Sequence, residues 1–169
     1  METVNGYDYF EVEETIRVTE LQINGETVMI DDPLHYLGMQ LIAKACKGKV
    51  LVAGLGLGLV THALQDNPNV TLIDIVEQEK DVIDLIQSVS DVLKNPITHV
   101  FNTDILSFIK SENLEPYDNI ILDIWHGAGT EETKRSILFT ISIVRHFIPN
   151  VEPYVWGIRG KLNPACKLE

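Results

Sequence analysis

The stretch Lys49-Val50-Leu51-Val52-Ala53-Gly54-Leu55-Gly56-Leu57-Gly58-Leu59-Val60 decides the reading of this chain. A short apolar run enters a loop with glycine at every second position, and a helical pattern follows. That order describes a buried strand, a tight turn and a helix N-terminus, with backbone bare enough for a ligand to approach closely. Glycine spacing narrows the ligand. The dinucleotide fingerprint requires glycine at its first, third and sixth positions. Here those places hold Gly54, Gly56 and Leu59, so the pattern is Gly-x-Gly-x-Gly and a nicotinamide dinucleotide is disfavoured. No lysine of the kind that grips nucleotide phosphates follows the loop, which argues against an NTPase.

Working outward, helical and strand patterns alternate from Pro33 onward. A helix is expected to about Cys46, then a strand at 49–53, a helix from about Gly58 to Gln65 and a strand from Val70 to Val76. Val82, Leu85, Ile86, Val89 and Leu93 recur at helical spacing. A short strand at 98–101 leads to a helix opening at Asp104, and Tyr117 to Ile124 reads as another buried strand. A helix from Thr130 to Phe147 carries Glu131 and Glu132 in its first turn, and Pro153 to Ile158 supplies a last strand. Near-continuous apolar strands separated by helices predict an α/β fold with a doubly wound, mostly parallel sheet covered on both faces. Ligands on such sheets bind beyond the carboxyl ends of the strands.

Residues 1–31 read as β, with Tyr9–Thr19 and Glu20–Ile30 rich in Val, Ile, Thr and Tyr. Asn24-Gly25 is a two-residue hairpin signal. Asp32 then caps a helix whose first position is Pro33. The expected division is an N-terminal β-hairpin extension at 1–31 and a nucleoside-binding domain at 32–169. The extension could complete the sheet, cap the pocket or make a dimer contact; capping with self-association as a homodimer is favoured.

The strand ends supply the candidate site. Glu77 lies 23 residues after Gly54 and ends the second strand of the alternating pattern, where a carboxylate can accept both ribose hydroxyls. The bland alternative is an acidic helix start. Asp104, with Ile105 beside it, follows the third strand; its carboxylate can take an adenine amino hydrogen or cap the next helix. Asp123 ends the fourth strand, ahead of Trp125 and His126. His126 could serve as a general base near neutral pH, or be an ordinary loop residue. Trp125 could wall a pocket and face a cation, or simply pack in the core. His35, His62, His99 and His146 show no ligand spacing, and no metal site is expected. Nor does a Ser-His-Asp set assemble.

Composition bounds the partners. With 169 residues and 45% hydrophobic content, one globular domain with a proper core is expected. The formal net charge is −12 and the 13 Lys and Arg are spread thinly, which disfavours nucleic acid and favours a neutral or cationic small molecule. The absence of a long apolar run or signal-like N-terminus, with two cysteines lacking ligand spacing, gives a cytoplasmic expectation and no membrane partner.

Gly54-x-Gly56-x-Gly58 resembles motif I of S-adenosylmethionine-dependent methyltransferases, and over residues 20–160 the chain looks like their spermidine synthase branch. The residues that carry this are the Asn24-Gly25 hairpin, Asp32-x-x-x-Tyr36-x-x-Met39, Glu77-x-Glu79-x-x-Val82-Ile83, Thr103-Asp104-Ile105-Leu106-Ser107-Phe108-Ile109 and Tyr117-Asp118-Asn119-Ile120-Ile121-Leu122-Asp123. The resemblance implies a class I methyltransferase-like Rossmann fold and S-adenosylmethionine, or its decarboxylated form, as cofactor. Gly54, Gly56, Gly58, Glu77, Asp104 and Ile105 would hold it, with Asp123 and His126 nearest a small-molecule acceptor. Departures set the activity expected. His126 stands where the family's fourth-strand loop has its last aspartate, Leu37-Gly38 replace a His-Glu pair, and Leu57 replaces an aspartate. The chain also ends after about five parallel strands without the family's closing antiparallel hairpin. Methyl transfer is therefore expected ahead of aminopropyl transfer, with a non-catalytic binding or assembly protein as the further alternative.

Overall fold

The computed structural model describes residues 2–4, 7–9, 15–111, 116–125 and 130–156. Two short antiparallel pairs come first: β1 (Glu2–Val4) with β2 (Tyr7–Tyr9), and β3 (Glu20–Ile23) with β4 (Glu26–Ile30). The alternating part follows as α1 (Pro33–Ala45), β5 (Gly48–Ala53), α2 (Leu59–Gln65), β6 (Val70–Glu77), α3 (Lys80–Val89), β7 (Thr98–Asn102), α4 (Ile105–Ile109), β8 (Asn119–Leu122), α5 (Glu131–Phe147) and β9 (Tyr154–Val155). Five strands form one sheet in the order β7-β6-β5-β8-β9, and every neighbouring pair is parallel. The doubly wound expectation is met, with the strand order reversing between β5 and β8.

Alternation along the strands explains the two layers. Val50 and Val52 of β5 face Met39, Ile42, Val60, Leu64 and Ile86, so α1, α2 and α3 cover one side. Leu51 and Ala53 point the other way, toward Ile105, Ile109, Ile137, Ile141 and Val144 of α4 and α5. The central strands read as continuous apolar runs because neither face meets water. Among the described residues no helix is long and apolar enough to cross a membrane.

The β3–β4 hairpin turns at Asn24 and Gly25, with φ of 52° and 82°, the left-handed pair that a two-residue turn requires. Its base is closed where the Thr19 amide donates to Asp31 Oδ1 at 2.5 Å and the Asp31 amide to Thr19 O at 3.1 Å. Leu21 is buried in the α1–α3 side of the core, and its burial contributes on the order of 2 kcal/mol to docking the hairpin. Asp32 caps α1 as expected, accepting from the amides of Leu34 and His35 at 2.8 and 3.0 Å.

Some expectations fail at the edges. The strand expected over Tyr9–Thr19 is not formed as drawn: Tyr7–Tyr9 pairs with Glu2–Val4, residues 15–19 are irregular, and 10–14 lie outside the described residues. The strand expected from Tyr117 to Ile124 contracts to Asn119–Leu122, because Tyr117 turns into the core to donate its hydroxyl to Asp74 at 2.7 Å and Asp123 onward turns toward a cavity. The helical spacing through Leu93 is broken at Ser90, after which Val92–Lys94 forms a separate 3-10 turn. The last strand covers only Tyr154–Val155, and residues 157 and 158 lie outside the described residues.

Gly54 is where the fold tolerates least. It sits at φ 93°, and a Cβ there would overlap the carbonyl oxygen of Asp123. Main chain cannot swing aside as a flexible side chain can. Gly54→Ala should therefore lower folding stability by at least about 2 kcal/mol, from strain and overlap together, as measured by denaturant unfolding. A loss under about 0.5 kcal/mol would mean that the two strand ends do not approach as described.

Candidate functional site

A cavity of about 280 Å³ lies over the carboxyl ends of β5, β6, β7 and β8. Its floor is Gly54 and Gly56, one wall is Glu77 with Glu79, and Thr103, Asp104 and Ile105 follow from the end of β7. Asp123, Ile124 and Trp125 close the opposite side, beyond β8. The roof is the β3–β4 hairpin, through Leu21, Ile23, Val28 and Met29. Four carboxylates line this space, and no Lys, Arg or His does so among the described residues. Walls of one sign favour a neutral or positively charged guest.

The glycine loop is less bare than the sequence suggests. Glu77 Oε2 accepts from the Leu55 amide at 2.9 Å, and its Oε1 from the Glu79 amide at 2.8 Å. One carboxylate thus clasps the two loops that follow β5 and β6. Each oxygen keeps a second lone pair, so acceptor capacity toward ribose hydroxyls survives. Gly54 N donates to Val76 O at 2.9 Å and Gly58 N to Leu55 O at 2.8 Å. The Leu57 amide faces the thioether of Met29, with Sδ at 3.1 Å. A Cβ on Gly56 would meet that sulfur at 2.5 Å, so glycine is needed here for close packing as well as for its φ of 50°. Gly58, at φ 76°, precedes the short α2 and packs against Val92, away from the cavity lining. Of the expected glycines, Gly54 and Gly56 reach the cavity and Gly58 shapes the turn.

Asp104 is the helix cap that its position offered, and it stands at the cavity as well. Its Oδ1 accepts from the Ser107 amide at 2.9 Å, capping α4, while the residue also lines the cavity beside Ile105. Behind it, Asn102 Nδ2 donates to the carbonyls of Glu77 and Gln78 at 3.0 and 2.9 Å, fixing the end of β6 against β7. Trp125 likewise does both: it lines the cavity, packs on the α4–α5 side of the core, and donates its indole N–H to Ser136 at 3.1 Å. His126 lies outside the described residues. Asp123 is held by its amide to Ala53 O at 2.9 Å. Burial pushes its carboxyl from 3.8 up to about 6, although the charge of His35 acts in the opposite direction.

His35 is a neighbour of the site that spacing did not disclose. Its Nδ1 lies 2.6 Å from Asp32 Oδ2, and its ring meets the indole of Trp156 at 5.3 Å between centroids. Burial works against the charge of Asp32, but is outweighed by bonds from the His35 amide and ring, that ring's charge, and the Leu34 amide, so its carboxyl falls below 3.8. The one local signal was the i,i+3 separation of Asp32 and His35 across the first turn of α1. Met29 left no comparable signal, since its contact depends on how the hairpin docks.

No protein-family model matches the chain, and comparison with curated proteins gives no match. Solved structures do resemble it. TrmK of M. capricolum, in complex with its natural cofactor product S-adenosyl-homocysteine, is 10% identical over 69% of this chain and 49% of its own, with a TM-score of 0.51. Spermidine synthase from Thermotoga maritima is 19% identical, over 60% of this chain and 38% of its own, with a TM-score of 0.49. A spermidine synthase in complex with the transition state analogue AdoDATO is 21% identical, over 68% of this chain and 42% of its own, also at 0.49. The chain thus spans about half the length of TrmK and about two fifths of these synthases. The fold is the methyltransferase-like α/β arrangement, shared with TrmK.

A carboxyl raised from 3.8 to about 6 by folding leaves a signature in stability. Below 3.8 Asp123 is protonated in both the folded and the unfolded chain and costs nothing. As pH rises toward 6 the unfolded chain ionises first, so folding loses stability, on the order of 3 kcal/mol in all. Asp123→Asn should unfold like the native chain near pH 3.5 and gain about 2–3 kcal/mol over it by pH 7.5, measured in urea. An equal gap at both pH values would show that Asp123 is not held in a desolvated site.

Proposed function

We propose that this chain binds S-adenosylmethionine and transfers its methyl group to a small-molecule acceptor. The observation that carries the reading is the meeting of Gly54, Glu77, Asp104 and Asp123 around one cavity at the strand ends. Each supplies a different element of adenosyl recognition. Gly54 and Gly56 form the floor on which the ligand rests, Glu77 accepts from the ribose diol, and Asp104 with Ile105 receives the base. The acidic lining suits a sulfonium cation, with Trp125 able to face it. TrmK, which shares the fold, is in complex with S-adenosyl-homocysteine, a ligand of the same adenosyl class.

The chemistry asks little of the protein. Displacement at a sulfonium-activated carbon needs an aligned nucleophile, exclusion of water and an acceptor for the nucleophile's proton. Asp123 stands at the acceptor end, and a carboxyl that ionises near 6 is suited to receiving that proton at neutral pH. His126, three residues after Asp123 in the sequence, is the second proton acceptor in this reading. Because no cation lines the described cavity to pair with an amino-acid carboxylate, decarboxylated S-adenosylmethionine is the second ligand to weigh, and aminopropyl transfer the second activity. Met29 on the glycine loop favours a third outcome, a protein of this fold that binds without catalysis.

Calorimetric titration with S-adenosylmethionine, its decarboxylated form and NAD separates these readings. Binding of an adenosyl sulfonium and not of NAD is expected. Glu77→Ala should weaken that binding roughly 10- to 100-fold, the loss of charge-assisted hydrogen bonds to the ribose. An unchanged affinity in the Glu77→Ala variant, with its melting profile intact, would refute the ribose assignment. Thioether formation with a candidate acceptor then distinguishes transfer from binding alone.

A further inference from the structure

We propose that Met29 is a specificity-determining latch on the glycine loop, holding the Leu57 amide until the amino-acid tail of an adenosyl ligand takes that donor in its place. The inference rests on the adenosyl reading above and concerns which tails that site admits.

The loop amides are not held alike. Those of Gly54 and Gly58 donate to the carbonyls of Val76 and Leu55 at 2.9 and 2.8 Å, and that of Leu55 donates to the Glu77 carboxylate at 2.9 Å. The Leu57 amide has instead the Met29 thioether, with Sδ at 3.1 Å. A thioether is a weak acceptor and a carboxylate a strong one. Of these four bonds, the one to Met29 is therefore the one that a charged tail replaces most readily.

The hairpin aims Met29 and leaves it room to move. Leu21 and Met29 stand opposite each other across β3 and β4, so burial of Leu21 in the core turns Met29 toward the loop. The Thr19–Asp31 bonds close the hairpin base without involving Met29. Met29 itself is partly buried, and its unbranched side chain has three rotatable bonds. It can leave the loop while the roof stays docked.

Strand order fixes which part of a ligand meets this latch. With the base at Asp104 beyond β7 and the ribose at Glu77 beyond β6, the order β7-β6-β5-β8 brings the sulfur and its substituents to β5 and β8. Asp123 and Trp125 stand on the β8 side, the acceptor end, and the β5 side is the glycine loop with Met29 upon it. A carboxylated tail on that side meets no Lys, Arg or His among the described lining residues. Main-chain N–H groups are what it can bond, and the Leu57 amide is the most weakly held of the four. A ligand with such a tail must dislodge Met29, whereas a ligand that stops at the sulfur leaves it in place.

The test is calorimetric titration of the full chain and of Met29→Ala with S-adenosylhomocysteine and 5′-methylthioadenosine. The two probes share base, ribose and sulfur, and only the first carries an amino-acid tail. Met29→Ala should raise affinity for S-adenosylhomocysteine roughly 3- to 10-fold, the effect of removing one competing hydrogen bond, and keep that for 5′-methylthioadenosine within about twofold. Equal changes for both probes, or a rise for neither in a variant with a native melting profile, overturn the latch and leave the adenosyl reading standing. A second measurement needs no variant and decides the matter if Met29→Ala fails to fold. In the unaltered chain the Leu57 amide proton, followed by NMR, should move downfield on saturation with S-adenosylhomocysteine and hold its place with 5′-methylthioadenosine. A resonance that answers both probes alike overturns the latch. If neither protein binds either probe, the adenosyl reading falls and the latch with it.

Discussion

The structure depends on two strand ends meeting without side chains between them. β5 and β8 run parallel, the Asp123 amide bonds to Ala53 O, and the chain at Gly54 lies directly against the carbonyl of Asp123. Any Cβ at position 54 would force these ends apart. Their approach makes the cavity floor, places the glycine loop beside Glu77, and brings the Asp123 carboxyl to the wall facing Glu77 and Asp104. The switch in strand order opens a crevice there, and glycine lets the Asp123 carbonyl and the Met29 sulfur pack directly on the loop at its floor.

Glu77 shows how one side chain can fasten two loops at the edge of a cavity. Its two oxygens hold the amides of Leu55 and Glu79, which would otherwise be donors at the edge of a partly buried pocket. Fixing both loops in the absence of ligand removes part of the ordering cost that binding would incur. A chain with a net charge of −12 gathers four carboxylates around this cavity, and no described histidine lines it.

Much of this was legible in the residues because the signals are local. Asn24-Gly25 demands left-handed backbone, Asp32-Pro33 caps and starts a helix, and apolar runs bounded by glycine become buried parallel strands. The strand-end acids were found by the same rule, since topology fixes where strand ends go. Asp104 and Trp125 each carried a structural reading that the structure shows, as a cap and as a core contact, and both residues also line the cavity. What escaped was convergence between distant segments. Met29 meets Leu57 only once the hairpin folds back, and His35 meets Trp156 across more than a hundred residues. No periodicity records such meetings. The short last strand escaped for a related reason: Tyr154–Val155 pairs at a sheet edge, where neighbours rather than propensity decide length.

The hairpin roof has a consequence for the order in which the molecule assembles. Leu21, Ile23, Val28 and Met29 leave the ribosome before any strand of the parallel sheet, yet the surface they cover includes Asp123 and Trp125, about a hundred residues later. Long-range contacts of this kind form late, after the loop entropy between them has been overcome. The β3–β4 segment packs on α1 and the glycine loop, both close to it in sequence, but the cavity it roofs is not enclosed until β8 has joined the sheet. A chamber built this way is enclosed only after Asp123 and Trp125 have taken their places, late in the order of synthesis.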